Sequence, residues 1–297
     1  MRTLLICILI AVPVFAQTRL DRLIAQHAAA AGGRVGVACA LPGTKLDCNL
    51  NANLKLPMQS VYKFPIAMAT LDAIEHGKLQ LQQKVRFMPS DLISPGQHSP
   101  LRDSHPQANV DVTVEELLRL AVSESDGIAS DILLRIIGGP AVVDAYIRRL
   151  GISGLHVQDS EKTIGSDVTA QYRNYAEAAA LVELSRKIAD NSPLSREHTT
   201  LLLAWMTVTQ TGAHRLKAML PPETVVAHKT GTSGTDAGIT HATNDIGLIT
   251  LADGRRLAIA VLVSDSPRSE DVREHVIAQI GYDIWQAASR AEKQPGK

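Results

Sequence analysis

The stretch NDIGLITLADGRRLAIAVLVS, residues 244–264, contains two apolar runs of strand length with a polar turn between them. Residues 244–251 and 256–264 are rich in Ile, Leu and Val, and Ala252-Asp253-Gly254 supplies the turn, so the stretch predicts an antiparallel hairpin. Residues 224–232 predict a third strand upstream of it. The C-terminal part of the chain is therefore expected to form a sheet that other segments cover.

The rest of the chain divides into strands near its beginning and helices in its middle. Residues 34–41 and 45–50 predict two strands on either side of the turn Pro42-Gly43-Thr44. Helices are predicted at both ends, from Leu20 to Gly32-Gly33 and over 272–288. Apolar residues also recur with the helical period in the middle segments 60–76, 114–122, 127–137, 174–189 and 194–209, and Pro140 begins a further helix.

These elements predict an α+β fold. An antiparallel sheet is made from both chain ends and is flanked by the N- and C-terminal helices, and an all-α lobe is inserted between the two groups of strands. We expect residues 17–58 and 210–297 to form the α/β lobe and residues 59–209 the all-α lobe. The groove between two such lobes is a natural place for a ligand.

The first sixteen residues have the pattern of a secretory signal peptide. Arg2 provides a positive start, residues 4–14 are almost wholly apolar, and small residues precede a cleavage site after Ala16. The alternative, a transmembrane anchor, is disfavoured because the apolar stretch is well short of the ~20 residues that a bilayer core requires. We therefore expect an exported protein, periplasmic or secreted, with no membrane attachment after cleavage.

The charge balance excludes some partners. The 297 residues include 30 Lys and Arg and 30 Asp and Glu, and a neutral balance gives no electrostatic reason to expect nucleic acid or an anionic membrane. Nothing in the sequence demands an oligomer, so we expect a monomer. The cysteine spacing resembles no metal site, and no His cluster accompanies it.

Two cysteines, Cys39 and Cys48, remain once Cys7 leaves with the signal peptide. If the turn pairs Pro42 with Lys45, the two thiols lie directly opposite each other. An exported protein can oxidise such a pair, although a directly cross-strand bridge is restricted to the closer pairs of residues. A disulfide and two small buried thiols both remain open interpretations.

Three short motifs carry reactive side chains. Ser60-Val61-Tyr62-Lys63 lies at a predicted helix start, where residues three apart share a face, so the Lys63 ammonium can meet the Ser60 hydroxyl. Ser125-Asp126-Gly127 lies between two helices, and Lys229-Thr230-Gly231-Thr232 lies in a predicted strand. Taken singly, the first motif is better explained as a surface pair and the second as a helix cap, and the alternative for the third is an edge-strand lysine.

In combination and in this order, the three motifs are the signature of class A β-lactamases and penicillin-binding proteins. The chain resembles class A serine β-lactamases over nearly its whole mature length. Glu161 lies in a long, aperiodic segment, 151–173, at a family-like distance from the motifs. The string Gln171-Tyr172-Arg173-Asn174-Tyr175 resembles a branch of class A that differs from the common penicillinases, and this branch suggests activity toward cephalosporins.

The resemblance implies hydrolysis of a β-lactam amide and a contribution to antibiotic resistance, with no metal or cofactor. Ser60 would be the nucleophile and Ser125 the proton relay to the leaving group. Lys63 or Glu161 would accept the serine proton, and Glu161 would then activate the hydrolytic water. The implied substrate-binding residues are His98, Gly127, Lys229, Thr230, Gly231, Thr232 and Ser233.

The sequence departs from the family pattern at several of these positions. Gly127 and Gly165 stand where many members have asparagine, and His98 stands near the place of an aromatic gate residue. The usual Arg–Asp ion pair of the loop is expected to be absent, since Asp159 and Asn174 occupy the matching positions. An arginine usual on the second C-terminal strand is also missing.

Two other activities share part of the pattern. A penicillin-binding D,D-peptidase has the Ser-x-x-Lys and Lys-Thr-Gly motifs but does not need Glu161. A β-lactam sensor is acylated and is not released, because it lacks an efficient base. Glu161 and the absence of a predicted membrane tether favour the β-lactamase.

Overall fold

The computed structural model describes residues 12–292. Ten α-helices lie in this range. In chain order they are α1 (Val12–Ala30), α2 (Lys63–Glu75), α3 (Pro100–Ser104), α4 (Val114–Ser123), α5 (Gly127–Ile137), α6 (Pro140–Arg149), α7 (Glu161–Ser166), α8 (Ala178–Asp190), α9 (Arg196–Thr207) and α10 (Glu270–Arg290).

The strands of the described chain form one main sheet and three small ones. They are β1 (Arg34–Ala40), β2 (Leu56–Pro57), β3 (Lys84–Phe87), β4 (Val110–Thr113), β5 (Leu155–His156), β6 (Tyr175–Ala176), β7 (Val226–Thr232), β8 (Thr235–Asp236), β9 (Ile239–Thr240), β10 (Thr243–Thr250) and β11 (Arg256–Ser264). The main sheet is antiparallel and has the order β1-β11-β10-β7. β7 therefore lies at one edge of this sheet.

The continuous apolar run of β11 is explained by burial on both faces of the sheet. Leu257, Ile259, Val261 and Val263 pack with α1 and α10 in one core. Ala258, Ala260 and Leu262 alternate with them and face the core of the helical lobe. Because strand side chains alternate between the two faces, a strand covered on both sides has no polar positions. The predicted α+β architecture is confirmed.

Several predicted elements differ from the structure. Residues 45–49 are not a strand, and only Leu50 makes a bridge, to Val37. The helical lobe contains short strands as well, since β3 pairs with β4, and β5 pairs with β6. The helix predicted from residue 174 begins at Ala178, because residues 175–176 pair with β2 first.

Cys39 and Cys48 form a disulfide, with their Cα atoms 5.7 Å apart. The bridge between Val37 and Leu50 sets the register that places the two cysteines opposite each other. This is the register predicted from a turn that pairs Pro42 with Lys45, although the strand predicted after that turn does not form. The disulfide ties the irregular segment after β1 to the sheet, and Cys48 is buried there.

The predicted signal peptide lies largely outside the described residues. α1 begins at Val12 and includes Ala16, after which cleavage is predicted, so that prediction stays untested. Within residues 12–292, no helix combines the length and the apolar character needed to cross a bilayer.

Candidate active site

Ser60 lies in a 3-10 turn, Gln59–Tyr62, that leads directly into α2. The preceding residue, Gln59, has a φ of 47°, and its side chain donates to Gln171 Oε1 at 2.7 Å. The Asn244 side chain on β10 donates to the carbonyl oxygens of Pro57 and Met58. The nucleophile segment is therefore held from both the main sheet and the loop 151–173.

Lys63 joins three of the predicted groups. Its ammonium donates to Ser60 Oγ at 2.7 Å and to the carbonyl oxygen of Ser125 at 2.9 Å. The same nitrogen lies 3.1 Å from Glu161 Oε2. Lys63 is only 1% exposed, so these polar partners compensate for its burial. The spacing of the Ser-x-x-Lys motif thus produces the expected contact.

Glu161 is the first residue of α7, and its side chain reaches Tyr62 and Lys63. Its Oε2 atom accepts a 2.8 Å hydrogen bond from the Tyr62 hydroxyl. Burial raises the pKa of Glu161, but the positive charge of Lys63 and the hydrogen bonds from Tyr62 and Lys63 outweigh burial and lower it. The carboxyl group is therefore ionised at neutral pH.

Asp131, on α5, holds the loop that carries Glu161. Its two oxygens accept the backbone N–H groups of Glu161 at 2.7 Å and Lys162 at 2.9 Å. Burial raises its pKa to about 6, against the opposing effect of these hydrogen bonds. Asp131 was not among the candidate residues. A helix-interior aspartate has no local pattern that reveals a contact thirty residues away.

Ser125, just before α5, and Lys229, on the edge strand β7, are in direct contact. Lys229 Nζ donates to Ser125 Oγ at 2.8 Å and to the carbonyl oxygen of Thr230 at 3.1 Å. Lys229 is fully buried. Burial lowers its pKa well below the ordinary value, and the charge of Lys63 adds to this effect. Ser125 has a φ of 60°, and Asp126 caps α5 behind it.

Gly231 lets the edge strand β7 lie against the nucleophile turn. A Cβ atom at this position would lie 2.3 Å from the carbonyl oxygen of Met58, so any other residue would push β7 away from Ser60. The neighbouring Thr230 hydroxyl contacts that of Thr211 at 2.5 Å. β7 pairs with β10 on one side and is the last strand of the main sheet, a position at which a strand can hydrogen-bond an extended ligand.

Arg215 brings a guanidinium to the end of β7, and β10 itself contains no arginine. It comes from the segment between α9 and β7, and its Nη2 atom donates to Thr232 Oγ1 at 2.7 Å. Its Nε atom donates to Glu274 on α10. Sequence reasoning missed this residue because an isolated arginine in an irregular segment carries no signal.

Of the two unusual glycines, Gly127 lies against Glu161 and Gly165 lies against Gln97. A Cβ atom at Gly127 would lie 2.7 Å from Glu161 Cγ, and one at Gly165 would lie 2.2 Å from Gln97 Oε1. The Gln97 amide occupies the space beside Gly165, where it donates to the carbonyl oxygen of Glu161 at 2.6 Å. Its Oε1 atom accepts the backbone N–H of Ser94.

Two further candidates, His98 and Ser233, face the site less directly. His98 is exposed, its ring contacts the Glu124 carbonyl oxygen at 2.8 Å, and its own carbonyl oxygen accepts from Gly127. The Ser233 hydroxyl accepts the backbone N–H groups of His241 and Ala242. Ser233 therefore ties the end of β7 to the following segment.

No ion pair joins the matching positions Asp159 and Asn174, as expected, but Asp159 forms an ion pair with a different residue, Arg173. Arg173 donates to Asp159 from Nε at 2.7 Å and from Nη2 at 3.2 Å. The neighbouring Asn174 accepts two backbone N–H groups with its side chain, those of Gln158 and Asp159. The ion-pair partner of Asp159 is thus Arg173, one residue before the matching position 174. The contacts of Arg173 and of Asn174 both hold the loop closed.

Comparisons with known proteins agree with this geometry. The β-lactamase enzyme family model matches residues 16–288. The extended-spectrum β-lactamase PER-1 of Pseudomonas aeruginosa is 40% identical over 252 residues, which cover 85% of this chain and 82% of PER-1. A solved β-lactamase from Chitinophaga pinensis DSM 2588 has a TM-score of 0.87 at 40% identity, covering 91% of this chain and 99% of that one.

A solved class A β-lactamase from Bacteroides cellulosilyticus DSM 14838 is also similar, with a TM-score of 0.83 at 28% identity. The match covers 91% of this chain and 98% of that chain. The family model and these relatives span almost all of the described residues, including every candidate residue of the groove. The chain therefore belongs to the class A β-lactamases, and it is a hydrolase that acts on β-lactams.

Proposed function

We propose that the enzyme opens the β-lactam ring through a covalent acyl-enzyme on Ser60, which water activated by Glu161 then hydrolyses. One observation carries the proposal: a single ammonium group, that of Lys63, contacts both Ser60 Oγ and Glu161 Oε2. The nucleophile of the first step and the base of the second are thereby within reach of one substrate carbonyl.

In the first step, Ser60 Oγ attacks the ring carbonyl and transfers its proton to a base. Lys63 contacts this oxygen directly, and Glu161 can reach it through a water molecule. The backbone N–H groups of Ser60 and Thr232 stabilise the negative charge that develops on the carbonyl oxygen. The edge position of β7 supports this role for Thr232.

The ring C–N bond then breaks, and the nitrogen takes a proton from Ser125. Lys229 donates to the Ser125 hydroxyl, which supports proton passage along this contact. Lys229, with Thr230 and Thr232, binds the substrate carboxylate, and Arg215 adds a second cation behind Thr232.

In the second step, the ionised Glu161 removes a proton from water, which attacks the ester carbonyl and releases Ser60. The lowered pKa of Glu161 keeps it in the basic form at neutral pH. General-base assistance of this kind is typically worth ~10²–10⁴-fold in rate. The proposed cycle uses side chains, the two backbone N–H groups of Ser60 and Thr232, and water.

We further propose that the enzyme acts outside the cytoplasm, in the periplasm or as a secreted monomer, and contributes to β-lactam resistance there. The disulfide between Cys39 and Cys48 supports an oxidising compartment. The signal-like sequence that ends at Ala16 also supports export from the cytoplasm.

A chromogenic cephalosporin tests the proposed activity. We expect many equivalents of ring-opened product per enzyme molecule at neutral pH, because Glu161 is placed to release the acyl group. One equivalent of product, followed by a stop, would instead indicate a penicillin-binding peptidase or a β-lactam sensor. The Ser60→Ala variant is the matched control and is expected to give no product above background.

Carbapenems are expected to deacylate slowly. Gly165 has no side chain to hold a water molecule, and the Gln97 amide beside it already donates to the Glu161 carbonyl oxygen and accepts from Ser94. Rapid mixing with a carbapenem should therefore show accumulation of acyl-enzyme, while a cephalosporin measured in parallel should turn over. Fast carbapenem turnover without accumulation contradicts the prediction.

A further inference from the structure

Tyr62 makes a direct contact with Glu161 that the reaction scheme does not use. Its hydroxyl donates to Glu161 Oε2 at 2.8 Å, and Lys63 Nζ lies 3.1 Å from the same oxygen. The Tyr62 side chain is fully buried beneath the nucleophile turn. Both donors therefore occupy one carboxylate oxygen, and the other oxygen, Oε1, has neither of them as a partner.

Gly127 gives the Glu161 side chain the space it needs for this contact. A Cβ atom at position 127 would lie 2.7 Å from Glu161 Cγ and 3.2 Å from Glu161 Cδ. The second close neighbour of that Cβ is Ile93 Cδ1, at 2.9 Å, so the pocket is closed on two sides. The position of the carboxylate at Tyr62 thus depends on a glycine in the Ser-Asp-Gly motif.

The surrounding charges keep the two groups in the required ionisation states. Burial raises the pKa of Tyr62 well above its ordinary value, and the negative charges of Glu161 and Asp131 raise it further. The phenol is therefore a neutral donor. Glu161 faces Lys63 on α2, Lys229 on β7 and Asp131 on α5, in addition to Tyr62.

We propose that Tyr62 is a positioning residue for Glu161, one that fixes Oε2 beside Lys63 and leaves Oε1 to face the hydrolytic water. This proposal rests on the proposed role of Glu161 as the deacylating base. A hydrogen bond to the ionised carboxylate also stabilises the charged form. Together with the charge of Lys63, Tyr62 therefore extends deacylation to lower pH.

The Tyr62→Phe variant tests this role, because it removes the hydroxyl and keeps the ring. Deacylation should still fall as the pH is lowered through the pKa of Glu161. Its midpoint should move up by about one pH unit, the order expected for losing a hydrogen bond to a charged group. Below the midpoint, deacylation should be about tenfold slower than in the wild type. Single-turnover deacylation rates between pH 4 and pH 8 give this readout.

Tyr146→Phe is the matched control. Tyr146 lies on α6, is 2% exposed, and its hydroxyl has no hydrogen-bond partner within the described structure. Removing this second buried hydroxyl should leave the deacylation midpoint unchanged. A Tyr62→Phe profile that superimposes on the wild-type profile overturns the proposal.

Gly127→Ala supplies a second, independent variant. Its methyl group should displace Glu161 from Tyr62 and raise the same midpoint, and combining it with Tyr62→Phe should add little, because both act on one contact. If the midpoint shifts of the two single variants added together in the double variant, the two substitutions would not act on the same contact. Failure of the proposed function is distinguishable, since the wild-type enzyme would then form no acyl-enzyme or would not release it at any pH.

Discussion

Glu161→Ala is expected to acylate once with a β-lactam and then stall. Lys63 contacts Ser60 Oγ in the wild-type structure and, as a neutral amine, can accept the serine proton in this variant, whereas the hydrolytic water loses its base. We expect deacylation to slow by ~10²–10⁴-fold. Stopped-flow measurement of product release should show a burst of about one equivalent, followed by a slow phase.

Glu183→Ala is a suitable control for this experiment, because Glu183 is an exposed carboxylate on α8. It should retain wild-type turnover. If Glu161→Ala turned over as fast as this control, Glu161 would not be the deacylating base. A loss of the burst itself would show that Glu161 is also needed for acylation, and would assign the first proton transfer to it rather than to Lys63.

Asp131→Ala is expected to have the second largest effect, through the loop rather than through direct chemistry. The Asp131 carboxylate accepts the backbone N–H groups of Glu161 and Lys162, and a hydrogen bond to a charged group is worth about 1.5–3 kcal/mol. We expect deacylation to slow by ~10–100-fold as Glu161 loses its fixed position. Asp131→Asn keeps one acceptor oxygen and should show a smaller loss.

The control for Asp131 is Asp144→Ala. Asp144 is a buried carboxylate on α6 that contacts His156 at 2.8 Å and the backbone N–H of Val157, so its loss also destabilises the protein. Thermal unfolding and single-turnover kinetics should separate the two variants. If Asp131→Ala and Asp144→Ala lost the same stability and the same deacylation rate, a specific role for Asp131 would be contradicted.

The elements that could be predicted from the sequence are those with strong local signals. The hairpin of β10 and β11 was predictable because both faces of β11 are buried, which leaves an unbroken apolar run. α4 was predictable from the helical period of its apolar residues, and Thr113 caps it by accepting the Glu116 N–H. Residues 45–49 were misassigned because polar residues alternate there, although the disulfide rather than strand pairing holds that segment.

The candidate site, too, could be predicted from the sequence only in part. Ser60 and Lys63 are three residues apart, so local geometry alone places them in contact. Ser125, Glu161 and Lys229 are far apart in the chain, and only the resemblance to a family joined them. Their contacts depend on how the two lobes meet, which no local pattern encodes.

The residues missed altogether act at long range or lie inside a motif. Arg215 reaches Thr232 from an irregular segment, and Asp131 reaches a loop thirty positions later. Tyr62 was missed for a different reason. It occupies an x position of Ser-x-x-Lys, where the motif specifies no residue type. Its significance comes from the partner that the fold brings to it, Glu161.

The most direct test is to locate the covalent intermediate in the Glu161→Ala variant. Brief incubation with a cephalosporin, acid quenching, proteolysis and mass spectrometry would identify the modified peptide. We predict a single adduct, on the hydroxyl of Ser60. The adduct should be absent from the double variant that also carries Ser60→Ala. An adduct on another residue, or rapid hydrolysis with no adduct in this variant, would contradict the convergence of nucleophile and base on one substrate carbonyl.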